Sequence, residues 1–210
     1  MKKRIVSLLL AAALLTGAAS AAGEESTAEH PDLDLSAASA VLMEKETGSL
    51  LYEKESHQQL EPASVTKVMT LLLVMEDLDS GRLSKEDLVT VSAAAAGMGG
   101  SQVYLKEGEQ FSAGELIKCI AVVSGNDAAV AMAEHLAGSE AAFVERMNRR
   151  AQELGMKDTV FVNCTGLPAA GHHSSAYDIA LMSRELILHH PDIRTYTTIW
   201  MDSIRDGAFA

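Results

Sequence analysis

Ser64 and Lys67, in the run Ser64-Val-Thr-Lys67, are the residues of this chain best suited to covalent chemistry. Ser-x-x-Lys occurs once in the sequence. On a helix, positions three apart share a face, so the lysine amine can reach the serine hydroxyl. A serine hydroxyl is a weak nucleophile until a base takes its proton. Lysine can be that base only if its pKa falls several units from about 10.4, and desolvation moves it that way. The positive end of a helix dipole pushes in the same direction. Alone, the tetrapeptide is equally a capping serine followed by a snorkelling lysine. A second group is needed.

Ser124-Gly-Asn126 supplies one, placing a hydroxyl and an amide at a tight break between two helical stretches. Other constellations carry less. His172-His173 and His189-His190 are neighbouring pairs whose side chains point apart, and His-Glu-x-x-His is absent, so no metal is expected. Gly97-Met-Gly-Gly100 lacks the lysine and the strand context of a phosphate loop, and no cofactor is expected. A Ser-His-Asp hydrolase would want Gly-x-Ser-x-Gly, which does not occur. Tyr196 and Trp200 read as packing residues.

The elements that would position these groups can be read outward from Ser64. Ala40-Val-Leu-Met43 and Leu50-Leu-Tyr52 flank Glu46-Thr-Gly-Ser49, a turn between two short strands. Pro62-Ala63 ends the extended part, and a helix is predicted from Ser64 to Asp79, stopping at Ser80-Gly81. Over its middle turns that helix is apolar all round, which belongs in an interior. Lys67 therefore sits in the first turn of a buried helix, and such a position needs a reason. Ser112-Ala-Gly-Glu115 is a capping box opening a helix towards Val122. Another helix runs from about Asn126 to Leu136; Ser139 caps a third, amphipathic one ending near Leu154-Gly155. Thr159 to Val162 reads as a short extended piece and Gly166 to His173 as loop. Ser175 caps a last helix that stops before Pro191. There is no internal repeat and no low-complexity tract. The reading is one strand pair followed by mostly helix, and a lone hairpin is marginal in water. Either it packs on helices alone, or further strands lie beyond Ala210.

The 210 residues are 48% apolar with a formal net charge of −12. That suits one globular domain and disfavours nucleic acid as a partner, since no basic face is available for phosphates. Cys119 and Cys164 are too few for a disulfide scaffold; one bridge or two buried thiols both fit. Residues 1–22 have the form of a signal peptide: Lys2, Lys3 and Arg4, an apolar run from Ile5 to Leu15, then Ala19-Ser-Ala21. The apolar run is short of the roughly 20 residues that span a bilayer. Export with cleavage near Ala21 or Ala22 is expected, followed by a flexible leader over 23–35 and a catalytic domain over 36–210.

Ala63-Ser-Val-Thr-Lys-Val-Met-Thr70 and Ser124-Gly-Asn-Asp-Ala-Ala129 closely resemble the first two motifs of the low-molecular-weight penicillin-binding D-Ala-D-Ala carboxypeptidases. The resemblance continues through Gly100-Ser101, Leu105, Gly108-Glu109, Phe143-Val144, Met147-Asn148 and Leu154-Gly-Met156. It extends to Thr159, Phe161, Asn163, Gly166-Leu167 and Ser174-Ser-Ala-Tyr-Asp178, and so covers nearly all of the chain after the signal. It implies the α+β fold shared by serine β-lactamases and penicillin-binding transpeptidases. It implies that Ser64 attacks the penultimate D-Ala carbonyl of a peptidoglycan stem peptide, that Lys67 is the general base, and that Ser124 relays a proton to the leaving amine. Asn126 would hold Lys67 and the substrate's peptide carbonyl, the Ser64 N–H would be one oxyanion donor, and β-lactams would acylate the same serine. The family's third motif, Lys-Thr-Gly, does not occur here. Its remaining strands, second domain and C-terminal amphipathic membrane anchor have no counterpart either. The chain is accordingly expected to be an incomplete catalytic domain, with little activity by itself. A class A β-lactamase would need Glu-x-x-Leu-Asn, and only Glu145-Arg-Met-Asn148 is present. A D,D-endopeptidase of the same family and an inactive wall-binding remnant are the other readings.

Overall fold

The computed structural model describes residues 33–205. The expected signal and the leader up to residue 32 lie outside them; Leu33 to Leu35 are exposed and irregular. Strands β1 (Ala40–Met43) and β2 (Leu50–Lys54) pair antiparallel, with Ala40 opposite Lys54 and Leu42 opposite Tyr52. The turn between them is held by the Glu44 carboxylate, which accepts from the Glu46 and Thr47 amides at 3.0 and 2.6 Å.

This hairpin packs on a helix. In helix α6 (Ala176–His189), Arg184 donates to the Lys45 and Glu46 carbonyls at 2.6 and 2.8 Å, and Tyr52 is buried. From β2 the chain runs as a strap along the start of α6. Tyr177 N–H donates to the Ser56 carbonyl, and Leu60 pairs with Ser174. The strap delivers the chain to Pro62.

Residues Ala63–Thr66 form a 3-10 turn, and the α-helix proper, α1, is Lys67–Asp79. The helix thus starts three residues later than the sequence suggests. Ala63 enters with φ +46, and the Lys67 N–H bonds back to the Ser64 carbonyl, so the first turn is wound tighter than an α-helix. α1 is the core: Met69, Leu72, Val74 and Met75 are fully buried. Its buried polar side chains are each answered. Thr70 Oγ1 donates to the Cys164 carbonyl at 2.7 Å, and Asp77 accepts from Arg82 Nε at 2.8 Å and from Arg146 at 2.8 and 2.9 Å.

A second antiparallel pair, β3 (Leu88–Thr90) with β4 (Gln110–Ser112), adds to what the sequence shows. Each strand buries one residue, Val89 opposite Phe111, and three residues are too few to display an alternating pattern. Between them lies the short helix α2 (Ala93–Ala96). The expected caps then appear in order. Ser112 and Glu115 close a capping box on α3 (Ala113–Val123), Ser139 caps α5 (Glu140–Glu153), and Ser175 caps α6. Helix α4 (Asn126–Ala137) buries Ala128, Ala129, Ala131 and Ala133, small residues that let α3 and α5 pack closely on its sides. After α6 a 3-10 turn at Pro191–Ile193 leads into α7 (Arg194–Thr197). Cys119 and Cys164 are free, buried thiols.

Asp77 ties α1 to α5 and to the loop after α1, which makes it the buried charge most exposed to mutation. Asp77→Ala is expected to destabilise the chain by about 2–3 kcal/mol, somewhat below the cost of breaking a fully enclosed pair because Arg82 reaches water. Arg82→Ala should cost under about 1 kcal/mol. Guanidinium unfolding of both variants checks this order; equal midpoints would remove the clamp role from Asp77.

Candidate active site

The two groups of the first motif sit at different depths. Ser64 is exposed on the 3-10 turn, whereas Lys67, the first residue of α1, is only 3% exposed. Lys67 Nζ lies 3.4 Å from Ser64 Oγ and donates to the Thr165 carbonyl at 2.7 Å. Burial pulls the lysine pKa down from 10.5 to about 8. A lysine titrating there is about one-tenth neutral at pH 7, against about one part in three thousand at its ordinary value. A neutral amine beneath an accessible hydroxyl is an arrangement for proton abstraction. The 3.4 Å separation is long for a hydrogen bond, as such contacts often are without substrate.

The 163–167 loop supplies the floor of this site. Gly166 has φ +84, and a Cβ there would lie 1.8 Å from the Ala63 carbonyl oxygen, so only glycine lets the loop lie against the turn that carries Ser64. A second tie runs through the middle of the motif. Thr66 Oγ1 is 2.9 Å from His172 Nε2, while His172 Nδ1 accepts from the Val162 amide at 3.2 Å. Nδ1 as acceptor fixes the neutral tautomer with its proton on Nε2, donated to Thr66. His172 is buried, and burial pushes its pKa below 6.5.

The second motif stands at the α3–α4 junction. Ser124 adopts the left-handed conformation, φ 57 and ψ 36, at the end of α3, and its hydroxyl has no hydrogen-bond partner among the described residues. Asn126 opens α4 and is nearly buried; its Nδ2 donates to the Gly99 carbonyl at 2.7 Å, and its Oδ1 is buried without a partner. The Asn126 N–H donates to the Ser101 carbonyl at 2.7 Å, and the Asp127 carboxylate accepts from Val103 and Leu105 N–H, each at 3.0 Å at the shortest. These bonds stitch the 99–105 loop to the start of α4. Gly100, at φ +77, is where that loop meets the other half of the site. A Cβ on it would be 2.8 Å from Asn126 Nδ2 and 3.6 Å from Leu167.

Of the four residues singled out by sequence, Ser64 and Lys67 are in direct contact. Asn126 reaches them through Gly100, Leu167 and Gly166, and shares no hydrogen bond with Lys67, whose nearest acceptor is Thr165 O. Ser124 shares no hydrogen bond with either. The residues that sequence reasoning passed over are Thr165, whose contribution is a backbone carbonyl, and His172, weighed only as a metal ligand. His189 and His190 instead face carboxylates, Glu185 at 3.0 Å and Asp79 at 2.5 Å.

A family model described as D-alanyl-D-alanine carboxypeptidase matches residues 24–206. The D-alanyl-D-alanine carboxypeptidase DacF of Bacillus subtilis is 48% identical over 207 residues, covering 99% of this chain and 53% of that protein. The crystal structure of D-alanyl-D-alanine carboxypeptidase DacD from Francisella tularensis matches with a TM-score of 0.78 at 36% identity. That match covers 80% of this chain and 40% of the other. Penicillin-binding protein D2 of Listeria monocytogenes, solved in its ampicillin-bound form, matches with a TM-score of 0.74 at 31% identity, over 85% of this chain and 72% of its own. The fold is therefore the α+β penicillin-binding-protein fold, and the chain spans about half the length of the curated relatives it matches.

The His172 tie has a pH signature. The unfolded chain takes up this proton near pH 6.5, and the folded chain resists it, with His173 opposing and Glu61 favouring the charge. The stability it contributes is complete above pH 6.5 and is lost as pH falls towards the lower folded-state pKa. Melting temperature should decline below that point, and His172→Gln should flatten the decline. Parallel curves for the two proteins would show that His172 is not the group responsible.

Proposed function

This chain belongs to the D-alanyl-D-alanine carboxypeptidase family, and we propose that the whole protein is an exported serine carboxypeptidase that trims the terminal D-Ala from peptidoglycan stem peptides. The observation that carries the reading is the buried Lys67 amine 3.4 Å beneath the exposed Ser64 hydroxyl. Neutral Lys67 takes the hydroxyl proton as Ser64 Oγ attacks the carbonyl of the penultimate D-Ala. The tetrahedral intermediate collapses as the D-Ala nitrogen leaves, protonated by way of the Ser124 hydroxyl, which is free to reorient. An ester on Ser64 remains. Water then attacks the ester, with Lys67 again accepting the proton and passing it to Ser64 Oγ as the shortened peptide leaves. Asn126 Oδ1, buried and unpartnered, is an acceptor available to a substrate amide N–H or to Lys67 once it moves.

A β-lactam presents a strained amide where the peptide bond would lie, so acylation of Ser64 by penicillin belongs to the same proposal. Export through residues 1–22 and work in the extracytoplasmic wall space complete it. The substrate carboxylate needs a cation and the oxyanion a second donor. The family's Lys-Thr-Gly, which supplies them, is not among these 210 residues. Both contacts, and any amphipathic membrane anchor, are therefore assigned to the rest of the whole protein.

In the whole protein, mass spectrometry after benzylpenicillin treatment should place the adduct on Ser64, and Ser64→Ala should abolish it. Lys67→Ala should lower the acylation rate by about 10²–10⁴ with the fold retained, the usual worth of a general base. Because burial sets the Lys67 pKa at about 8, wild-type acylation should rise with pH and level off above that value. A Ser64→Ala protein still labelled, or a flat rate from pH 6 to 10, would overturn the assignment. Penicillin labelling without D-Ala release from an acylated Lys-D-Ala-D-Ala peptide would turn the reading to a crosslink-cutting endopeptidase.

A further inference from the structure

We propose that Asn163 is the positioning residue for the base: its side-chain amide folds residues 163–167 into the loop whose Thr165 carbonyl holds Lys67. The inference deepens the reading of Lys67 given under Proposed function. Asn163 Oδ1 accepts from Thr165 N–H at 3.1 Å, from Thr165 Oγ1 at 3.1 Å and from Gly166 N–H at 2.7 Å. Its Nδ2 donates to the Leu167 carbonyl at 2.8 Å. One amide therefore satisfies both ends of the loop. The carbonyl left facing inward, Thr165 O, is the one that Lys67 Nζ meets at 2.7 Å.

Two consequences follow for the amine. With one N–H fixed on Thr165 O, the rest of the group is turned towards Ser64. The loop also covers the lysine, and a long lysine side chain released from cover would snorkel into water. Among the described residues, the groups acting on Lys67 are few. The Cys164 thiol lies beside it, kept protonated because burial pushes its pKa far up, with the Glu140 carboxylate beyond the thiol. From α4, Asn126 is neutral, and the Asp127 carboxylate is taken up by the Val103, Leu105 and Ala128 amides. Cover by the loop thus adds to the apolar surroundings of α1 in keeping the amine dry.

The test compares wild type, Asn163→Ala and Asn163→Asp in the whole protein by two routes. NMR titration of the lysine Nζ and Cε signals, assigned through Lys67→Arg, reads the pKa without any reaction. Benzylpenicillin acylation from pH 6 to 10 reads its effect on the rate. Asn163→Ala should move the Lys67 titration up towards 10.5. Its acylation should fall about tenfold at pH 7 and recover to within about threefold at pH 10, a small share of what a general base contributes. Asn163→Asp keeps the three acceptor bonds but sets a carboxylate oxygen against the Leu167 carbonyl, so it should melt between wild type and Asn163→Ala, while its charge also raises the titration. An unchanged Lys67 titration in both variants overturns the proposal. So does a uniform loss of rate at every pH that follows the melting temperature, because a merely structural residue would behave that way. Wild type that shows the low titration but no adduct on Ser64 would leave Asn163 in its place and sink the carboxypeptidase reading instead.

Discussion

A lysine amine taken out of water beneath a serine hydroxyl is the constraint around which this structure is arranged. Desolvating an ammonium is costly, and the group responds by titrating lower. Two conditions keep that response useful. The amine must retain one good acceptor, which is the Thr165 carbonyl, and it must have no carboxylate nearby to restore its charge. The acidic side chains of this strongly negative chain are accordingly engaged elsewhere, Asp77 with two arginines and Asp127 with backbone amides. Helix α1, apolar round most of its circumference, provides the dry surroundings.

The cost of holding the serine outward is written in the backbone. Ala63 sits at φ +46, a conformation that costs a non-glycine residue about 1–2 kcal/mol. It persists because the chain is pinned three residues away on each side, Leu60 against Ser174 and Thr66 against His172. Gly166 then closes on the Ala63 carbonyl, leaving no room for the turn to relax. Strain, strap and loop form one device that presents Ser64 to solvent while Lys67 stays below.

What the sequence makes legible is what neighbouring residues decide. Ser112 with Glu115, Ser139 and Ser175 announce their helices because a cap and its partner lie three residues apart. Ser64 and Lys67 are legible for the same reason. The 3-10 start of the helix is hidden, because it is imposed on a helix-competent run by Ala63 and by contacts from Gly166 and His172 about a hundred residues on. The Val89–Phe111 pairing is hidden because each strand buries a single residue. Thr165 escapes notice altogether, since a backbone carbonyl has no residue type. Asn163 is visible only through family resemblance, which marks the position without saying what its amide does.

The Lys67–Thr165 bond spans 98 residues and the Thr66–His172 bond 106. A chain in which residues 163–172 have not yet docked therefore carries an ordinary, hydrated lysine beside an unactivated alcohol. On the proposed role of Lys67, nucleophilicity at Ser64 would be a property of the docked tertiary structure and absent from shorter folding units. Long-range closures of this kind come late in folding, after local helices have formed. On that proposal the polypeptide would stay chemically inert while extended, the amine being set beside Ser64 only once residues 163–172 have docked.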